Sequence, residues 1–127
     1  MEYVNPIVWF EIYVNDMERA TKFYETVLDV KLESIPSPTD DPMEMRSFPG
    51  DMEKHGCNGA LVKMEGFDVG KNGTIIYFAS KDCTTEENRI EKAGGKVIRP
   101  KMAIGEHGFI TLFTDTEGNM IGLHSMD

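Results

Sequence analysis

The sequence predicts an α+β fold made of two βαβββ modules in tandem. Three observations predict it. The run Ile7–Val14, read as a strand, leads through Asn15-Asp16 into an amphipathic helix, and Thr74–Ala79 leads through Lys81-Asp82 into another. Asp16 and Asp82 stand in register 66 positions apart, as in an internal repeat of one supersecondary unit. After each helix come three further strand-like runs separated by Pro, Gly, Asn and Asp. The expected organisation is one domain, residues 1–127, with a first module over 5–65 and a second over 73–126.

The first strand alternates Phe10, Ile12 and Val14 on one face with Trp9, Glu11 and Tyr13 on the other. An exposed sheet face is ordinarily polar, whereas an aromatic and acidic face suits a pocket wall. Asp16 is the expected N-cap of a helix over 17–28, whose apolar stripe is Met17, Ala20, Phe23, Tyr24, Val27 and Leu28. Phe23 and Tyr24 are therefore expected in the core. Residues 31–35 and 43–48 read as a hairpin, with Pro36, Pro38, Pro42, Asp40 and Asp41 holding the connection open. A polar loop over 49–59, containing Lys54 and His55, precedes a short strand over 60–64. The glycine-bounded stretch 66–73 is the expected boundary between modules.

In the second module, Thr84-Thr85-Glu86-Glu87 has capping-box spacing, and the helix over 84–93 should stop at Gly94-Gly95. Residues 96–99 read as a strand ended by Pro100. Phe109–Thr114 and a strand over 120–124 form a hairpin across Asp115–Asn119, where Gly118 and Asn119 tolerate positive φ.

Composition excludes several classes. The net charge is −9, with 13 basic residues scattered among 22 acidic ones, so neither nucleic acid nor an anionic membrane is an expected partner. No apolar run reaches the roughly 20 residues that cross a bilayer. The N-terminus lacks a basic flank and cleavage site, so a cytoplasmic location is expected. Cys57 and Cys83 lie outside any C-x-x-C motif and read as reduced thiols.

Asp16-Met-Glu-Arg-Ala-Thr-Lys-Phe-Tyr24, Ala93-Gly-Gly-Lys-Val97 and Asp115-Thr-Glu-Gly-Asn-Met-Ile-Gly-Leu-His124, together with the paired βαβββ order, resemble the vicinal oxygen chelate superfamily. This is the glyoxalase, bleomycin-resistance and dioxygenase fold, and the resemblance covers nearly the whole chain. It implies two modules whose mixed sheets curl into a cup. In the superfamily's metal-dependent enzymes, pocket-facing positions on the first, fourth, fifth and eighth strands hold a divalent metal through His, Gln or Glu.

By that resemblance the ligand positions fall on Trp9, Ile75 and Gly122, and the fourth strand offers no donor before Glu65. Indole, alkyl and hydrogen do not bind transition metals, so neither metal nor other cofactor is expected. Function must then be argued from the site. Strand alternation assigns the lining to Trp9, Glu11, Tyr77, Gly122 and His124, with Gly122 leaving room near the floor. His107, in the glycine-flanked loop Gly105–Gly108, stands at the edge of a gate or faces solvent. For the titratable pair, two readings stay open: Glu11 faces the cavity or pairs with Arg46, and His124 faces the cavity or lies exposed at the chain end.

Two functions follow. One is a metal-free protein binding a small aromatic or amphipathic molecule, like the superfamily's antibiotic-binding members. The alternative is an enzyme, lyase, isomerase or dioxygenase-like, using a displaced divalent metal or Glu11 and His124 as acid and base. Related members pair as two-fold dimers, so a homodimer is expected.

Overall fold

A computed structural model describes residues 5–54, 56–67, 69 and 73–127. The expectation for His55 lies outside these, as do positions 68 and 70–72 of the expected boundary. The chain divides into two compact units, Trp9–Thr74 and Ile75–Asp127, the second joined by the stretch ending at Val8.

The first unit follows the predicted order: β1 (Ile7–Tyr13), α1 (Met17–Leu28), β2 (Glu33–Ile35), β3 (Met43–Ser47) and β4 (Asn58–Met64). Its strands lie in the order β2-β3-β4-β1, antiparallel except that β4 runs parallel to β1. The second unit repeats this with β5 (Thr74–Ala79), α2 (Cys83–Ile90), β6 (Lys96–Ala103), β7 (Phe109–Thr114) and β8 (Met120–Ser125). Its order is β6-β7-β8-β5, with β8 parallel to β5. Each module thus closes by laying its last strand beside its first, the long connection that parallel pairing requires.

Both helices start as the repeat dictates. The Asp16 carboxylate accepts from the Arg19 N–H at 3.0 Å, and the Asp82 carboxylate accepts from the Thr84 N–H at 3.0 Å. The second cap differs from the expected box at Thr84, because Glu86 and Glu87 are used elsewhere. Glu86 accepts from the Ser80 hydroxyl, while Glu87 accepts from the Lys101 N–H at 2.6 Å and the Thr111 hydroxyl at 2.9 Å. The last of these bonds has a counterpart in the first unit, where Arg46 donates to the Thr21 hydroxyl at 3.1 Å. Thr21 and Glu87 are 66 positions apart, and Arg46 and Thr111 both sit beside the strand leucine that faces the helix, Leu61 or Leu123. Each module therefore has a polar tie between its helix and its third strand, built from different residues.

Packing corrects three expectations. Among the described side chains of α1, which do not include Val27 of the expected stripe, the buried ones are Met17 and Thr21, whereas Phe23 and Leu28 are more than half exposed. Phe23 lies about 120° round the helix from Met17, and Leu28 is the final helical residue. Phe23 instead packs edge-on against Tyr24, which meets Phe48, which meets Phe10. Next, β4 begins two residues earlier than expected, at Asn58. Finally, β6 continues through Pro100 with register irregularities on either side of Arg99. The second unit's order ends on β6, so Pro100 removes no N–H that an inner strand needs.

In the second unit, Cys83 and Ile90 of α2 pack on Leu123, with Phe78, Val97 and Phe113 around them. This occupies one sheet face. Alternation leaves Ile75, Tyr77, Gly122 and His124 on the other. The turn Asp115–Asn119 closes as predicted through Gly118, at φ 85°, while Asn119 stays out of the left-handed region. The Asp115 carboxylate accepts from the Glu117 and Asn119 N–H groups and from the Asn119 amide.

Candidate functional site

In the first unit the register Glu11↔Ala60 and Ile12↔Leu61↔Arg46 separates the two sheet faces. Ile12 and Arg46 face α1, where Arg46 reaches Glu18 at 2.5 Å. Glu11 faces the other way, so the Glu11–Arg46 reading is excluded by strand alternation. Glu11 is buried, and both of its oxygens are held by β1 itself. The Trp9 indole Nε1–H donates to Oε2 at 3.2 Å, and the Tyr13 hydroxyl donates to Oε1 at 2.9 Å.

Tyr13 is fixed in turn by its surroundings. Its ring stacks on Phe67 with centroids 4.6 Å apart and planes 11° off parallel. Its backbone N–H donates to the Gly73 carbonyl at 2.6 Å. Burial pushes the phenol's ionisation far above its usual range, and the adjacent Glu11 carboxylate pushes it further. Tyr13 therefore remains an O–H donor at any working pH. The result is a carboxylate framed by aromatic donors, with Trp9 still partly exposed.

In the second unit, Tyr77 and Gly122 are register partners. A Cβ at Gly122 would lie 2.3 Å from Cδ1 and 2.4 Å from Cε1 of Tyr77. The room expected at Gly122 is therefore filled by the Tyr77 ring, which is itself buried. His124, one alternation further along β8, directs Nε2 at the His107 carbonyl, 2.6 Å away. A carbonyl only accepts, so this contact assigns the proton to Nε2 and leaves Nδ1 the acceptor in the neutral ring.

His124 and His107 are thus brought together, through the His107 backbone. The His107 imidazole is exposed, 4.0 Å from the Glu106 carboxylate. The expected gate, Gly105–Gly108, is a short 3-10 turn closed by the Ile104 N–H on the Gly108 carbonyl. Gly108 is buried, and a Cβ there would stand 2.3 Å from the Ser125 carbonyl. The segment is pinned, and its glycines serve tight geometry.

Sequence reasoning passed over Tyr13 and Asn58 as candidate site residues. Tyr13 was legible as the next residue on the Trp9–Glu11 face. Asn58 was hidden by the late start assigned to the fourth strand, and it stands directly across from Trp9.

A profile of the Glyoxalase/Bleomycin resistance protein/Dioxygenase superfamily matches residues 6–123. The chain belongs to this superfamily. A protein of Didymella fabae described as glyoxylase-like domain-containing is 31% identical over 112 residues, covering 86% of this chain and 84% of that one. Among solved structures, a Streptomyces coelicolor methylmalonyl-CoA epimerase variant in complex with 2-nitronate-propionyl-CoA has a TM-score of 0.69 at 19% identity. It covers 97% of this chain and 98% of its own. The Mycobacterium tuberculosis methylmalonyl-CoA epimerase has a TM-score of 0.67 at 14% identity, covering 96% and 88%. At these identities the likeness is one of fold.

The superfamily's divalent metal does not fit the residues present here. The Trp9 nitrogen carries a hydrogen committed to Glu11, Ile75 is a buried alkyl chain, and Gly122 lies against the Tyr77 ring. On β4, Asn58 uses its amide Nδ2–H on the Phe48 carbonyl at 2.9 Å and its Oδ1 on the Gly59 N–H at 2.8 Å. Glu65 is exposed beyond the end of the strand. Among the described residues, no three His, Cys, Asp or Glu side chains group where they could hold a metal ion. None of the described helices is long and apolar enough to cross a membrane.

Proposed function

We propose that this chain binds a small aromatic or amphipathic molecule without a metal, using the sheet face that carries Trp9 and Glu11. One observation carries the reading: a buried carboxylate gripped on both oxygens by the Trp9 indole and the Tyr13 hydroxyl. A part-exposed indole supplies a flat apolar surface for a ring, and the carboxylate beside it supplies a fixed polar contact. In the second module, taken by itself, the corresponding face carries Tyr77, Gly122 and His124, with His107 beside them, as its own proposed contacts. A homodimer in the cytoplasm completes the proposal, the location in keeping with the free thiols Cys57 and Cys83.

The test is a thermal-shift screen of metals, cofactors and aromatic antibiotics, since a ligand of the native state raises its apparent stability. Confirmed ligands are then titrated against the emission of Trp9, the only tryptophan. Quenching is expected. A confirmed ligand that leaves this emission unchanged refutes the assignment. Elemental analysis should find less than about one-tenth equivalent of Ni, Zn, Mn or Fe per chain, because no nitrogen, thiolate or carboxylate ligand occupies Trp9, Ile75 or Gly122.

An enzymatic alternative draws on His124, whose anchored Nε2–H presents Nδ1 as a base. Deuterium uptake from heavy water into a confirmed ligand, present with the wild type and lost in His124→Ala, would favour it over simple binding.

A further inference from the structure

Two of the contacts on the buried Glu11 carboxylate, from the Trp9 indole and the Tyr13 hydroxyl, come from groups that donate and cannot reverse. Indole Nε1–H has no acceptor atom. The Tyr13 hydroxyl is kept protonated by burial beside the carboxylate and is locked in orientation by Phe67 stacking and by the Gly73 carbonyl on its own backbone N–H. Both Glu11 oxygens are therefore presented as acceptors, Oε2 towards Trp9 and Oε1 towards Tyr13. The 66-residue repeat shows that this polarity is particular to the first module. The positions equivalent to Trp9, Glu11 and Tyr13 are Ile75, Tyr77 and Ala79, which carry no carboxylate.

We propose that Tyr13 is a positioning residue which, with Trp9, sets Glu11 as a fixed acceptor, so that this face selects aromatic ligands bearing an N–H or O–H donor over isosteres offering only acceptors. The inference rests on the binding reading above and names the chemistry of its ligand. A carbonyl, ether or carboxylate brought to Glu11 meets lone pairs with lone pairs and gains no bond for the water it displaces. A hydroxyl or amine forms a bond to a charged acceptor, the stronger class of hydrogen bond. Tyr13 does not touch the ligand in this scheme. It acts through the carboxylate, keeping Oε1 oriented.

The experiment uses the full-length chain labelled with ¹⁵N, which gives a single indole Nε1–H resonance because Trp9 is the only tryptophan. Two matched neutral probe pairs are titrated: 2-naphthol against 2-methoxynaphthalene, and indole against benzofuran. The donor member of each pair should shift the Trp9 resonance and bind at least about tenfold more tightly, the ratio expected for one bond to a charged group. Tyr13→Phe keeps the ring and its stacking and should reduce that ratio to below about threefold. Glu11→Gln, which offers one acceptor and one donor, should abolish the preference while retaining the apolar contact.

A folding defect alone would weaken both members of a pair together, so the ratio reports positioning. Equal binding of donor and acceptor probes to the wild type overturns the inference and leaves the binding reading standing. An unaltered ratio in Tyr13→Phe overturns the role of Tyr13. Absence of any Trp9 shift with all four probes overturns both readings.

Discussion

Replacing Gly122 with alanine puts one methyl group where Tyr77 already is. The new Cβ would be 2.3 Å from Cδ1, 2.4 Å from Cε1 and 2.9 Å from Cγ of the ring, all far inside van der Waals contact. Tyr77 is 5% exposed, so the ring is held inside the fold and not at the surface. Either the ring leaves its rotamer or β5 and β8 move apart, and overpacking of this kind costs about 2 kcal/mol. A 127-residue chain has an unfolding entropy near 0.27 kcal/mol/K, so the midpoint should fall by about 7 °C. Urea denaturation of Gly122→Ala against the wild type measures the loss directly. The same substitution in a Tyr77→Leu background should cost less than about 1 kcal/mol, because the clash is with the ring, and the difference is the coupling energy of the pair. Equal losses in both backgrounds, or a single variant within 0.5 kcal/mol of wild type, would refute the assignment of the Tyr77 ring to this space. A metal-ligating side chain at this position is barred by the same geometry.

Other expectations follow from single residues. Asp29 ends α1 with φ 54°, the only described non-glycine residue in the left-handed region, and it places a carboxylate at a helix C-terminus. Asp29→Gly should raise stability by about 0.5–1 kcal/mol in thermal melts, and a lower midpoint would contradict this account. The carboxyls of Asp115 and Asp82 are held below their usual range, the first by the Asn119 backbone and side-chain amides, the second by Lys101 and the Thr84 N–H. A depressed native value favours folding above the unfolded carboxyl range and is lost as pH falls through it. Urea midpoints should therefore decline below about pH 4, and Asp115→Asn should lose stability at pH 7 while approaching wild type at pH 3. An unchanged gap between the two pH values would exclude the mechanism. Sedimentation at micromolar concentration should show a homodimer, and a single species near the 14.3 kDa chain mass would exclude it.

What the chain determines by itself is local and periodic. The 66-residue offset carries the tandem βαβββ order, because strand alternation and helix capping are written in neighbouring residues. Asp16 and Asp82 cap their helices as the repeat requires, and Ile7, Thr74 and Phe109 start strands where the pattern starts. Superfamily membership and the lack of a metal-ligating side chain at Trp9, Ile75 and Gly122 were likewise legible, since side-chain identity alone decides them. Tertiary structure decided whatever depends on a neighbour distant in sequence. Alternation puts Glu11 and Arg46 on opposite faces only once β1, β4 and β3 are in register. Pro100 is tolerated inside β6 because that strand ends its unit's order. Glu87 serves Lys101 and Thr111 instead of a capping box because β6 and β7 pass beside α2. Phe23 is apolar at helical spacing, yet the sheet covers only the Met17 side of α1. Gly122 reads as vacant space in one dimension, and the ring from the adjacent strand fills it, because a side chain's rotamer answers to the volume across the sheet and not to its own chain neighbours.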